Sequence, residues 1–285
     1  MGVRDRLRRM WIWRYSLKPR RALSALAGAA PRHGALLRVG EGVADVHPWP
    51  ELGDAPLDEQ LARLARGETT ALSRRSLWFA SVWKRDLFDG LTIPRSHWPG
   101  SDPPEGFDTV KVKMPGGVLP DRHRLRLDFN ASIDAAAFAR LAPALPRERI
   151  DFVEDPCPYD AATWRALRAE TGLRLALDRA AVAPASRRPA RRRPAAADVL
   201  VIKPAVEDVP DADIPIIITS YMDHPIGQLH AAYVAATTTP DATCGLVTHV
   251  LFESDPFIER MRIDDARLVP PDFTDLLEAL PWKRL

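Results

Sequence analysis

TVKVK at residues 109–113, RLRLDFN at 124–130, DFVEDP at 151–156, RLALDR at 174–179 and LVIKP at 200–204 decide the fold between them. Each carries Val, Leu, Ile or Phe in a short run and ends in Lys, Asp or Glu. That is the pattern of a buried strand delivering a polar side chain at its end. Asp128, Glu154, Asp178 and Lys203 follow one another at 26, 24 and 25 residues, about one strand–helix unit each. Parallel strands joined by such crossovers bring successive C-terminal ends to one mouth, where barrel active sites are built.

Outward from this series, Gly90–Pro94, Ile214–Ser220 and Leu246–His249 read as further strands, and Ile133–Leu145 and Ala161–Thr171 as helices. Seven or eight strands alternating with helices predict an α/β barrel over residues 91–285. The repeat is imperfect. APASRRPARRRPAAAD (183–198) is poor helix material, and the link from Pro204 to Ile214 is too short for a crossover helix. Either the outer ring is eroded there or the strand assignment fails in that half. Residues 1–90 read differently. Trp11–Leu17 and Ala35–Val39 are strand-like, GVADVHPWPELGD (42–54) reads as loop, and a helical period starts at Leu57 with Asp54 as its cap. This predicts a small α+β capping domain, with the C-terminal tail packing back on it.

Hydrophobic residues make up 46% of the 285 and charged residues 27%, the mix of a globular protein, and the net charge is +2. No whole-molecule field selects nucleic acid or membrane. The basic N-terminus has no apolar core of a signal peptide, and no run reaches the length of a membrane span. Cys157 and Cys244 read as free thiols, so a cytoplasmic location is expected. Arg187, Arg188, Arg191, Arg192 and Arg193 lie among prolines without stacking aromatics and read as a solvated loop.

Three carboxylates at one mouth repel each other, and burial makes their ionisation costly. A divalent cation on Asp128, Glu154 and Asp178 relieves both problems. All-oxygen ligation suits Mg²⁺, with Mn²⁺ as substitute, and no Cys or His cluster argues for zinc. Lys111 and Lys113 are two apart and share a strand face, with Val110 and Val112 facing the helices. Lys113 is nearer the mouth and is the expected base, its pKa lowered by Lys111. Lys203 flanks the opposite side. Asn130 either steadies a metal ligand or forms a turn.

K-x-K, D-x-N, E-D-P, L-D and K-P, in that order and at those intervals, resemble the enolase superfamily, most of all its muconate-lactonizing-enzyme branch. RYSLKP (14–19) and TSYMDHPIGQLHAAYVA (219–235) are similar to segments of the o-succinylbenzoate synthase family. The resemblance implies an enolase-type (β/α)7β TIM-like barrel with an N-terminal α+β capping domain. It implies Mg²⁺-dependent syn dehydration of 2-succinyl-6-hydroxy-2,4-cyclohexadiene-1-carboxylate in menaquinone biosynthesis. Lys113 would remove the proton and Lys203 would stabilise charge. Ser220 and Asp223 stand where the family commonly has S-x-E-S, and are expected either to contact substrate or the surroundings of Lys203, or to be structural. GLVTHVLF (245–252) lacks the D-x-D of the branch's dipeptide epimerases. N-succinylamino acid racemase, a muconate-type cycloisomerase and a non-catalytic barrel scaffold stay open. The expected partner is a small carboxylate substrate, and the expected assembly a monomer or weak homo-oligomer. His224 and His249 read as packed or surface residues, with a place at the barrel mouth as the alternative, and Arg32 as a solvated arginine or a contact for a substrate carboxylate.

Overall fold

A computed structural model describes residues 10–23, 28–178 and 196–285. The arginine patch at 187–193 lies outside them. The chain begins as an antiparallel meander of β1 (Met10–Leu17), β2 (Arg32–Val39) and β3 (Gly42–Val46). Thus GVADV, read as loop for its Gly and Pro neighbours, is a strand, and all five of its residues are buried. Gly42 permits this: a Cβ there would stand 1.9 Å from the Ala80 carbonyl oxygen. Helices α1 (Leu57–Ala65) and α2 (Ala71–Val82) follow, and α2 packs on β2 and β3. Asp54 does not cap α1. Its carboxylate accepts from Trp49 N at 3.0 Å and from the Tyr221 hydroxyl at 2.9 Å. A capping box of Thr70 and Ser73 starts α2.

The second unit is a parallel sheet of β4 (Trp98–Pro99), β5 (Thr109–Lys113), β6 (Arg124–Asp128), β7 (Ile150–Glu154), β8 (Leu175–Leu177), β9 (Val199–Ile202) and β10 (Ile216–Ile218), in sequence order. Gly90–Pro94 forms no strand; pairing starts at Arg95 and Ser96. Leu246–His249 is not a strand either, because Thr248–Leu251 winds into a 3-10 turn. The two preceding residues bring the sheet's edges together. Cys244 pairs in parallel with Ser96, and Gly245 with Thr219. Space is the reason for glycine here, since a Cβ on Gly245 would stand 2.8 Å from both His97 and Thr219 side-chain atoms.

Helices α3 (Ala135–Leu141), α4 (Ala161–Thr171) and α5 (Pro225–Thr238) lie between strands, while β9 and β10 are joined by turns alone. Strand alternation separates two cores. Val110, Val112, Leu127, Val153, Leu175 and Ile202 point outward into the main cluster. Phe152, Ala176, Val199, Val201 and Ile217 form a small cluster of their own, on the face that carries Glu154, Asp178 and Lys203. After α5 come a hairpin of β11 (Arg262–Asp264) and β12 (Arg267–Val269), then α6 (Thr274–Ala279) and β13 (Lys283–Arg284), which pairs with β1 at Trp11 and Ile12. Among the described residues no helix is long and apolar enough to cross a membrane.

The capping unit meets the sheet at β10. Trp49 donates its indole N–H to the Tyr221 carbonyl at 2.9 Å, and α5 packs on β3. Segment 47–54 therefore docks on the C-terminal end of β10, the end that carries the site.

Candidate active site

Hydrogen-bond register aligns the site. Lys113 is paired with Asp128 across β5 and β6, and Asp128 with Glu154 across β6 and β7. Asp178 follows β8 by one residue and Lys203 follows β9 by one residue. The Lys113 ammonium donates to Asp128 Oδ2 at 2.6 Å and to Asn130 Oδ1 at 3.0 Å. Lys111, one pleat deeper, lies 2.9 Å from Asp128 Oδ2 and 2.6 Å from Glu154 Oε1. Lys203 is hydrogen-bonded to Asp178. The six side chains thus form two groups, Lys113–Asp128–Lys111–Glu154 and Lys203–Asp178, in which each carboxylate has a lysine partner.

Their electrostatics follow from that geometry. Burial opposes ionisation of Asp128, but Lys111 and Lys113 outweigh it and hold the carboxyl below its usual range. Burial likewise opposes Asp178, which Lys203 and Lys111 hold down. Glu154 goes the other way: burial and the Asp128 charge push it up to about 7, against Lys111. Burial disfavours the charged lysines, yet Asp128 and Glu154 raise the pKa of Lys111, and Asp178 and Glu154 that of Lys203. In the state described the two buried lysines are therefore ammonium ions. Lys111 is thus a fixed positive charge on the strand face that it shares with Lys113.

As the side chains stand, no group of three His, Cys, Asp or Glu among the described residues converges closely enough to hold a metal. The physical reason is the lysines: one ammonium bridges Asp128 and Glu154, and another takes Asp178. The donor set nevertheless fits a hard divalent cation. It is all oxygen, comes from three neighbouring strand ends, and two of its members already converge on one positive charge.

The supporting residues divide. Asn130 sits at φ +50° with its N–H on Asp128 Oδ1 at 3.0 Å, so it forms a turn and also orients both Asp128 and Lys113. The Ser220 hydroxyl lies 2.5 Å from that of Thr248. Asp223 lies against Asp45 of the capping sheet, packed around Gly227. Arg32 is not solvated: its guanidinium stacks 3.9 Å from the Trp49 ring centroid and is bonded twice to Glu51, at 2.8 and 3.1 Å. His224 and His249 are both buried, and His249 bonds Gln228.

Two features were not singled out from the sequence. Asp155, at φ +44° beside Glu154, accepts the Asp178 backbone N–H at 3.0 Å and so ties two strand ends together. The E-D-P spelling was its signal. Arg126, two residues before Asp128, lies in the barrel interior bonded to Asp151 and the Thr243 carbonyl, with His97 at 3.0 Å. Its place two residues from Asp128 on an alternating strand puts it on the same face.

Residues 10–85 match the family described as o-succinylbenzoate synthase, N-terminal domain, and residues 105–206 match the enolase C-terminal domain-like family. An o-succinylbenzoate synthase of Bdellovibrio bacteriovorus is 34% identical, covering 95% of this chain and 97% of that protein. The L-Ala-D/L-Glu epimerase of Bacillus subtilis superposes with a TM-score of 0.71 at 13% identity, covering 92% of this chain and 96% of that one. The o-succinylbenzoate synthase of Thermosynechococcus elongatus, solved with Mg in its active site, superposes with a TM-score of 0.64 at 19% identity, over 87% and 95%. At these identities the superpositions speak for the fold.

Proposed function

The chain belongs to the o-succinylbenzoate synthase family of the enolase superfamily, a family of hydro-lyases, and we propose that it dehydrates 2-succinyl-6-hydroxy-2,4-cyclohexadiene-1-carboxylate to o-succinylbenzoate in menaquinone biosynthesis. The observation that carries the reading is the run of strand ends: Lys113 on Asp128, Lys111 across Asp128 and Glu154, and Lys203 on Asp178. Two lysines on opposite sides of three carboxylates are what proton removal next to a carboxylate and stabilisation of the resulting charge require.

Asp128, Glu154 and Asp178 would hold Mg²⁺, or Mn²⁺ in its place, and the Mg in the related Thermosynechococcus enzyme supports this. Such an ion supplies a fixed positive charge for the substrate carboxylate and for the negative charge that develops beside it. Lys113 is the more exposed of the β5 lysines, at 42% against 15% for the Lys111 side chain, so it is the one that reaches substrate. In the neutral form it takes the proton α to the carboxylate, and as the ammonium it returns that proton to the departing hydroxyl. Using one residue for both transfers makes the elimination syn. Lys203 stays an ammonium and faces the developing charge from the other side. Lys111 remains a fixed charge, and Asn130 holds the Lys113 amine in line. We read the partner as a small carboxylate rather than nucleic acid or membrane, the setting as the cytoplasm, and the assembly as a monomer or weak homo-oligomer.

The test is loss of the cyclohexadiene ultraviolet absorbance on addition of enzyme with Mg²⁺, with an EDTA control. Metal-dependent loss with o-succinylbenzoate formed supports the proposal. No turnover, alongside thermal stabilisation by Mg²⁺, would overturn this substrate and leave a racemase or cycloisomerase of the same branch.

A further inference from the structure

A second group of buried titratable side chains lies away from the strand-end lysines, where the capping sheet meets the start of α5. It comprises Tyr15 of β1, Asp45 of β3, His47 just after it, and Asp223 and His224 just before α5, all at most 9% exposed. Asp45 and Asp223, 178 positions apart, approach around Gly227: Asp223 Oδ2 lies 2.5 Å, and Asp45 Oδ2 2.8 Å, from where a Cβ on that glycine would stand. Neither carboxyl has an ion pair among the described residues. The aromatic rings of Tyr15, Trp13 and Phe257 pack on His224, so the surroundings are apolar.

The two carboxyls are not equivalent. Asp45 Oδ1 accepts the Tyr15 hydroxyl at 2.6 Å, and its Oδ2 accepts the His224 backbone N–H at 3.1 Å. Asp223 Oδ1 is buried with no partner. Two adjacent buried carboxyls without a cation cannot both ionise. We propose that Asp223 and Asp45 share one proton, carried by Asp223, and that this acid–carboxylate pair clamps the capping sheet onto the Ser220–Asp223 segment at the barrel mouth. Burial raises both carboxyls, Asp223 to about 7 and Asp45, which also faces the Asp223 charge, well above its ordinary value, so the pair retains a proton. The Tyr15 and His224 donors, which favour the Asp45 carboxylate, direct that proton to Asp223. The other titratable groups facing the pair are Tyr15, whose pKa burial and Asp45 raise further, and His47 and His224, both held neutral by burial. Arg32 acts on His47 from the far side. Asp223 and Asp45 are thus positioning residues: they set where the cap sits and touch no reacting atom.

The consequence is a pH-dependent fit of the cap. Once the shared proton leaves, two buried negative charges face each other across the domain junction. The experiment has two arms. In the infrared arm, difference spectra of the full-length wild type against Asp223→Asn at mildly acidic pH should show one buried carboxylic-acid carbonyl band, lost on alkaline titration. No such band would overturn the proposal, whatever the enzyme's substrate. The kinetic arm rests on the proposed dehydration. From about pH 6 to about pH 9 the wild-type KM should rise about tenfold, the weight of one hydrogen bond to a charged group, with a smaller change in kcat. Asp223→Asn, whose amide keeps a donor at every pH, should show little of that rise. An equal rise in Asp223→Asn and wild type would refute the clamp. Should that variant fail to fold, Asp45→Asn provides a second check: with the neighbouring negative charge gone, the infrared band must titrate at lower pH, and an unchanged titration would overturn the shared proton.

Discussion

Replacing Lys111 by Met removes the charge that bridges two of the three strand-end carboxylates and keeps most of the side chain's volume. The ammonium lies 2.9 Å from Asp128 and 2.6 Å from Glu154. At an effective dielectric of about 20, each contact is worth roughly 6 kcal/mol before desolvation. Desolvation cancels much of this, and removing one partner of a buried pair costs about 3–5 kcal/mol net. In a domain of this size that is a fall in Tm of about 10 °C in EDTA, read by a thermal melt. The same site predicts an opposite response to metal. With the competing ammonium gone, Mg²⁺ meets an uncompensated carboxylate pair, so the variant should gain more from millimolar Mg²⁺ than the wild type does, closing much of the deficit. An equal deficit with and without Mg²⁺ would refute the claim that ammonium and cation compete for one set of carboxylates.

Other perturbations have outcomes of comparable definiteness. Lys113→Ala and Lys203→Ala should each fold and lose about 10²–10⁴ in kcat, the usual weight of a positioned acid or base; a Lys113→Ala variant with wild-type turnover would remove the base assignment. Gly227→Ala puts a methyl between the Asp45 and Asp223 carboxylates and should lower stability by about 1–3 kcal/mol, seen as a fall in the urea midpoint. In EDTA, Glu154 with its raised folded pKa of about 7 contributes stability that is fully present below its unfolded value. That contribution is lost as pH rises through about 7, so wild type should lose stability relative to Glu154→Gln over this window, and parallel melting curves would contradict it. Arg32→Met should loosen segment 47–54 and lower Tm by several degrees, because it strips Glu51 and Trp49 of their partner.

What was readable from the chain was local. Lys111, Lys113, Asp128, Glu154, Asp178 and Lys203 declare themselves because strand alternation and a regular crossover length are properties of short windows. Ala161–Thr171 is a helix between Asp160 and Gly172, a helix cap at one end and a left-handed stop at the other, both written in sequence. Gly90–Pro94 and Leu246–His249 fail as strands locally, the latter to a 3-10 turn, and the other departures are non-local. GVADV looks like a loop by composition and becomes a strand because α2 and α5 bury both of its faces. The sheet's edges meet on two residues, Cys244 and Gly245, and no periodicity survives in so short a piece. Asp45 and Asp223 meet across 178 positions, so neither carries a signal of the other. Arg32 seemed a surface cation until Trp49 and Glu51, 17 and 19 positions on, closed over it.

The most direct test of the central claim, that Asp128, Glu154 and Asp178 hold one divalent cation between two lysines, is a Mn²⁺ titration of the full-length protein followed by electron paramagnetic resonance. One ion bound per chain, displaced by Mg²⁺ and lost in both Asp128→Asn and Asp178→Asn, is the result expected. Stoichiometric binding that survives both substitutions, or no binding by a folded wild type, would contradict it.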